Sequence, residues 1–394
     1  NMFSGAGMWT SIVAVSWLVL ERSSLSFWVG IITFGYMIPF LIISPIAGLL
    51  ADRMDRKNLS LVTLVAGAIT TAALATLAII GVIELWHVAI ITFVAGSFRA
   101  TQEPAIQALI PNQVPREILL NAITLNASTR HGARFFGLLV AAPLMGIDYV
   151  GIKGVLVLSS LFYVAGTILM LKVRTSSIGD LKVNQRALSG ILDGFAYIYT
   201  NKIIALFIIL VAFHCALVMS FESILPVFTR ETLHAKDGSY FGYMVMGFGA
   251  GALVSSFLMA GVKNEKAKGQ LLFWTGLLSG ITPIALSFST NLSIAILASI
   301  AMGSSQAMFM ALTNTYVQML APDQLRGRIS SLYILHAGGI MAFANLGYGF
   351  MADQISAPPI LLVTGLLFIV FLACLSASQP QLRKIYGTGQ AIPV

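Results

Sequence analysis

Apolar runs of about 20 residues recur almost without pause along the chain, each long enough for a helix to cross the roughly 30 Å of hydrocarbon in a bilayer. Twelve are counted, over 2–20, 28–50, 59–83, 87–110, 118–142, 152–171, 201–229, 239–262, 269–289, 292–319, 329–352 and 358–378. Short polar breaks separate them, and the longest break, 172–200, divides the chain six runs from six. The expectation is an all-α integral membrane protein of twelve transmembrane helices. Its division is a first bundle over 1–171, a cytoplasmic linker over 172–200, a second bundle over 201–378 and a cytoplasmic tail over 379–394.

Composition agrees with that pattern. Of 394 residues, 57% are hydrophobic and only 10% charged, and the mean hydropathy is +0.88. A soluble domain carries about a quarter charged residues. The first run begins on Asn1, with no basic stretch or small-residue cleavage site ahead of it, so it reads as a first helix trimmed of a preceding cytosolic tail rather than a signal peptide. Cys215 and Cys374 both lie inside apolar runs and read as small buried hydrophobes, in no pattern for a disulfide or a metal.

The net charge of +8 raises the question of a nucleic-acid partner, and the positions of the basic residues answer it. Sixteen of the 23 lie on the side that holds Arg53, Arg56 and Lys57. Four, Arg22, Lys153, Arg230 and Lys236, fall on the other side, and Arg99, Arg130 and Arg134 lie inside runs. The basic side of a membrane protein is cytoplasmic, so the charge orients the chain with both termini in the cytosol. No nucleic acid is expected. The partners expected are the lipid bilayer of a cell (inner) membrane and a small-molecule substrate, with the protein a monomer.

The two halves repeat. Gln107-Ala-Leu109-Ile-Pro111-Asn112-Gln113 follows the fourth run, and Gln318-Met-Leu320-Ala-Pro322-Asp323-Gln324 follows the tenth, 211 residues later. Ile118 and Ile329 keep the same offset, so the register continues into the next run of each half.

Between the second and third runs stands Gly48-Leu-Leu-Ala-Asp52-Arg53-Met-Asp55-Arg56-Lys57. It resembles the loop signature of the major facilitator superfamily of transporters, G-x-L-a-D-r-x-G-r-k, with Asp55 in place of the common Gly. Pro104-Ala-Ile-Gln-Ala-Leu-Ile-Pro111, Asn121-Ala-Ile-Thr-Leu-Asn126-Ala-Ser128, Leu225-Pro226-Val-Phe228 and Arg326-Gly327-Arg328 look like the branch that contains bacterial enterobactin and macrolide exporters. The resemblance implies two pseudo-symmetric six-helix bundles, a substrate held between them near the midplane, and alternating access. It also implies a cytoplasmic latch. Gly48 permits close approach, and Asp52 can accept from the orphan N–H groups that open the eleventh span, with Arg53, Asp55, Arg56, Arg326 and Arg328 around it.

Charges inside lipid cost about 2.5–3.5 kcal/mol each on insertion scales, so each needs a reason. Arg99 and Glu103 are four apart and share a face of the fourth span, where they can pair. Asn126, Arg130 and Arg134 form a stripe along the fifth, with His131 about 100° from Arg130. By helical rise Arg99 and Arg130 lie near mid-depth, and Glu103 and Asn126 share a level, so a buried network joining the two spans is possible. Three arginines against one glutamate leave a positive surplus. Either it attracts an anionic group on a substrate, for which guanidinium offers a planar fork, or Arg134 is a packing residue and Glu103 neutralises Arg99.

In the seventh span Glu222 reads as an isolated carboxylate in an apolar setting and the favoured proton site, with His214 eight residues earlier as a possible relay; the alternative is that Glu222 faces the headgroups at the outer end. His336 reads as a hydrogen-bonded interior histidine. Trp9, Trp17, Phe34, Met219 and Met308 are candidates for a tolerant cavity lining or for ordinary packing. The Gly-Pro pair common in the fifth span of proton-driven exporters is absent, since Leu138 follows Gly137 and the nearest proline is Pro143. Gly247, Gly249 and Gly251 read as close-packing positions, because no Gly-Lys-Ser/Thr follows them.

The function expected is a secondary active transporter, a proton-coupled exporter of a small amphipathic or organic-anion substrate. It needs no cofactor; a proton gradient drives it. A lipid or lysolipid flippase of the same fold is the alternative. A membrane-embedded lipid enzyme fits less well, since the histidines at 87, 131, 214, 234 and 336 have no ligand spacing and no nucleophile motif stands out. A receptor that binds without transporting remains open.

Overall fold

The computed structural model describes residues 1–43, 47, 50, 54–115, 119–173, 195–322 and 325–390. All of its regular elements are helical. In the first half these are α1 (Met2–Ser23), α2 (Ser26–Ile42), α3 (Arg56–Ile80), α4 (Leu85–Leu109), α5 (Leu119–Met145) and α6 (Gly151–Leu171). In the second half they are α7 (Lys202–His214), α8 (Leu225–Glu231), α9 (Ser239–Ala260), α10 (Glu265–Ser287), α11 (Leu292–Leu320), α12 (Arg326–Ile355), α13 (Ala357–Ser378) and α14 (Pro380–Thr388). Among the described residues nine helical stretches are long and apolar enough to cross a membrane, and α2 is a shorter apolar helix. The remaining expected spans fall on α4 and α5, which carry Arg99, Glu103, Arg130 and Arg134.

Local chemistry explains why these segments are helices. Hydrocarbon offers no hydrogen-bond partner, so backbone groups must be satisfied within the segment. Hydroxyls embedded in the apolar runs are answered by their own helix: Thr10, Thr92, Ser299 and Thr313 donate to the carbonyl four residues back, at 2.7–2.9 Å. Asp55, Asn201, Asn264 and Asn291 each sit just ahead of a helix and accept a backbone N–H from its first turn. Large apolar side chains stand exposed around the barrel of helices, Ile69, Trp86, Phe257, Leu258, Leu297 and Val370 among them, each more than half exposed. That belt is suited to lipid rather than to water.

Alternating helices put the breaks at 24–25, 81–84, 146–150, 232–238 and 288–291 at one end of the molecule, the far end, and residues 172–173 and 195–200, which flank the linker, at the other, the linker end. Across the halves α2 lies against α12 and α5 against α9. These contacts are backbone-close. A Cβ added to Gly349 would come within 2.7 Å of the Ser26 carbonyl oxygen, and one on Gly242 within 2.7 Å of Ala142 Cβ.

The buried core is asymmetric. At the far end one continuous cluster draws on both halves, from Val13, Trp17 and Leu20 through Leu138 and Met145 to Phe228, Phe241 and Leu361. The other large cluster, toward the linker end, holds among the described residues only those from Ile198 to Ile385, and it includes Leu382 and Ile385 of α14. Within the segment read as a tail, α14 is a docked helix. Tyr316 Oη donates to Gly389 O at 3.2 Å, and Gly269 leaves room for the Ile385 carbonyl.

Candidate functional site

The seventh span is not the continuous helix expected. After His214 the backbone widens into a π-turn over Cys215–Met219, then runs non-helically through 220–224 before Pro226 opens α8. Proline has no N–H and a fixed φ, so it suits a first turn and breaks an interior one. Groups freed by the break are met by side chains from α11 and α12. Gln306 Nε2 donates to Val218 O at 3.0 Å, Tyr348 Oη to Ala216 O at 2.6 Å, and Ser223 N–H to Asn345 Oδ1 at 3.1 Å. Gln306 and Asn345 are fully buried.

Glu222 lies in this break, and it is not isolated. Arg134 Nη2, on α5 of the other half, reaches its Oε1 at 3.4 Å. The Arg134 side chain is 7% exposed and that of Glu222 16%. The guanidinium is held between two rings, 3.9 Å from the centre of Trp9 and 4.2 Å from that of Phe248. Phe248 belongs to α9 and Trp9 to α1, so four elements from both halves converge on one ion pair. Arg134 Nε is buried with no partner, which leaves the fork only partly answered. Of the two readings of Glu222, the lone carboxylate is corrected: a cation supplies its balance.

The remaining charges sort themselves by pairing. Arg99 forms an ion pair with Glu103 on the same face of α4 and donates from Nη1 to Gln102 Oε1 at 2.8 Å. Asn126 accepts from Asn1 Nδ2, at the start of α1, and among the described residues no hydrogen bond joins it to Glu103. Arg130 is exposed, and among the described residues it makes no ion pair. The positive surplus expected from the sequence is thus carried by Arg130, one turn toward the linker end from buried Arg134. His131 is partly buried beside them.

His214 is fully buried, with both ring nitrogens unpartnered and the rings of Phe309 and Phe368 at 4.5 and 5.2 Å. A relay to Glu222 is corrected too, since the break removes the helical phase that related them and the ring faces aromatics. His336 is hydrogen-bonded as expected, to Tyr199 Oη at 3.0 Å and Leu332 O at 2.7 Å. Of the cavity candidates, Trp17 and Met308 are core residues, and Phe34 packs edge-on against Phe343 across the halves. Gly249 and Gly251 are close-packing positions: a Cβ on Gly251 would sit 2.0 Å from Ile300 O.

Residues 1–387 match the family described as Transmembrane secretion effector, a branch of the major facilitator superfamily. The chain belongs to that family. This secretion-effector-family transporter is 23% identical to the multidrug efflux pump Tap of Mycolicibacterium fortuitum, with 96% of each chain covered. It is 21% identical to the staphyloferrin A transporter of Staphylococcus aureus, over 85% of this chain and 83% of that one. The solved structure of a D-xylose-proton symporter superposes with a TM-score of 0.76 at 11% identity, covering 99% of this chain and 98% of the other, which fixes the fold. The protein is a multi-pass membrane transporter and not an enzyme.

For the transporter's expected latch, Gly48, Asp52 and Arg53 lie outside the described residues, as does the side chain of Arg326. Asp55 caps α3, accepting from Asn58 N at 2.8 Å, and Arg56 Nη1 donates to Ala108 O near the end of α4 at 3.1 Å. The first bond closes the start of α3 and the second ties α3 to α4 within the first half, roles the latch reading did not include. Arg328 is exposed at the start of α12. Sequence reasoning passed over Gln306, Asn345, Tyr348 and Asp353. The signal was there for each, a polar group inside or at the edge of an apolar run, where an unmet donor or acceptor is costly.

Proposed function

We propose that this transporter is a proton-coupled exporter of a small amphipathic or organic-anion molecule, working by rocking of the two six-helix halves, with the basic loops and the linker on the cytoplasmic side of the inner membrane. The observation that carries it is the Arg134–Glu222 pair, which spans the boundary between the halves inside a shell of aromatic rings. Two events undo such a pair. A proton on Glu222 removes the negative partner, and an anion that enters the half-answered fork of Arg134 replaces it. Either one changes the energy of a contact that both halves share, which is what coupling between ligand and conformation requires.

Arg130 gives the entering molecule its first charge contact. It is exposed one turn closer to the linker end, where the second half's core includes no first-half residue among those described. Arg99 is answered by Glu103 and serves the first bundle rather than an anion. Closure at the far end supports a form that loads from the cytoplasmic side. The multidrug efflux pump and the staphyloferrin A transporter among the relatives support a small-molecule cargo moved outward.

Transport in proteoliposomes tests the reading, with a panel of labelled siderophores, macrolides, lysolipids and dyes. A substrate found by counterflow is then followed under an imposed pH gradient. Glu222→Gln is expected to abolish accumulation driven by the gradient while exchange of bound ligand continues. Wild-type accumulation with unchanged pH dependence in that variant removes Glu222 from the mechanism.

A further inference from the structure

The turn between α1 and α2, at the far end of the first half, receives two opposite charges from the second half. Asp353, at the end of α12, accepts from Ser26 N–H through Oδ1 at 2.6 Å and from Phe27 N–H through Oδ2 at 2.9 Å. These are first-turn donors of α2, which have no acceptor within their own helix. The position that normally supplies one, the N-cap, is Leu25, and it has no capping atom. On the other arm of the same turn Arg230, in α8, donates from Nη1 to Leu20 O at 3.1 Å and from Nη2 to Ser24 O at 3.4 Å. Those carbonyls close α1.

A helix carries partial positive charge at its N-terminus and partial negative charge at its C-terminus. A carboxylate on the first and a guanidinium on the second is therefore the favourable assignment at both ends. The first turn of α2 has no cap of its own and takes one from the other half, whereas α1 closes on Ser24, whose left-handed backbone donates its N–H to Leu20 O at 2.9 Å, and the guanidinium of the other half adds a second donor to that carbonyl and one to Ser24 O. Backbone contact beneath them is tight, with the Gly30 and Gly349 backbones in contact and Phe27 edge-on to Phe350 at 6.0 Å.

We propose that Asp353 and Arg230 form a two-charge clasp on the α1–α2 turn, and that the far side opens only by releasing it. The inference rests on the alternating-access part of the function proposed above, but not on any substrate or proton. In the released state the first turn of α2 and the last turn of α1 pass from fixed charges to water. The clasp therefore biases the molecule toward the form open at the linker end. It is the counterpart, at the opposite end of the same α2–α12 pair, of the latch read from the Asp52 loop.

The test uses the full chain in lipid nanodiscs, with Cys215 and Cys374 replaced and spin labels at Val82 and Thr290, both exposed near the far end of opposite halves. Asp353→Asn puts an amide donor against a backbone N–H. Charge-assisted bonds are the strong ones, so about a tenfold rise in the longer-distance population is expected, with faster hydrogen exchange at residues 26 and 27. Arg230→Gln is expected to shift the distances the same way, and the double variant further than either alone. Faster exchange at 26 and 27 with wild-type distances means a local cap only and overturns the proposal, as do wild-type distances and exchange together. If Asp353→Asn does not yield a folded protein, Arg230→Gln, which leaves α2 untouched, carries the same two readouts. Asp237→Asn, at a neighbouring cap on α9, is the control and is expected to leave the distances unchanged. No ligand enters the measurement, so failure of the clasp leaves the exporter reading standing, and the reverse holds too.

Discussion

Removing one partner of the Arg134–Glu222 pair is the sharpest test of how the two halves are joined. At 3.4 Å two unit charges attract by about 5 kcal/mol at an effective dielectric of 20, before desolvation is subtracted. Truncating one member of a buried pair costs about 3–5 kcal/mol, because the other is left buried and unanswered. Here two terms lower the figure. The bond is long, and the guanidinium keeps both ring faces, each worth roughly 0.5–2 kcal/mol to a cation. Glu222→Gln is accordingly expected to cost about 2 kcal/mol, and Arg134→Met, which strands the carboxylate and loses the stacking, about 3–4 kcal/mol. The double variant leaves no charge unmatched and is expected to be no less stable than Arg134→Met alone. A double-mutant cycle on unfolding in mixed SDS micelles measures the coupling, expected near 2 kcal/mol. A coupling below about 0.5 kcal/mol means the two groups do not act on one another and removes the pair from any account of the boundary.

The other predictions concern single positions. His214→Phe removes two buried nitrogens that have no partner, so it is expected to hold or raise stability, by up to about 1–3 kcal/mol, and to leave transport intact; loss of transport in a folded variant returns the ring to the pathway. Gly251→Val drives a side chain into the Ile300 carbonyl and is expected to lower stability by about 3 kcal/mol or more, read as a fall in melting temperature in detergent. An unchanged melt means that α9 and α11 lie further apart. Asp55→Ala leaves the Asn58 N–H without its acceptor and is expected to cost about 1 kcal/mol, with faster exchange across residues 56–60 as the check.

The helices were legible because hydrocarbon imposes one rule on every span. The runs at 152–171, 292–319 and 358–378 fall within one residue of the observed α6, α11 and α13 at each end. Spacing alone also found the Arg99–Glu103 pair, since residues four apart on one helix must be neighbours. Glu222 was found as a polar group worth explaining, but its partner was not, because Arg134 is 88 residues away and meets it only through the packing of α5 against the second half. The break in the seventh span had a visible cause in Pro226. Its extent did not, because it depends on Gln306, Asn345 and Tyr348, which satisfy the widened turn from other helices. Long-range caps such as Asp353 on α2 are hidden for the same reason, although Leu25 at an N-cap position shows that some cap has to come from elsewhere.

Among the described residues the interior is fused at one end and divided at the other, and in the rocking motion proposed above such a molecule works like a clothes-peg. With helices of about 22 residues, roughly 33 Å long, a turn of about 10° around the fused end displaces the opposite tips by roughly 6 Å. That is the width of an aromatic ring system, gained with little rearrangement inside either leg. On that proposal, small repacking near Trp17 and Phe228 is magnified into an opening wide enough for cargo.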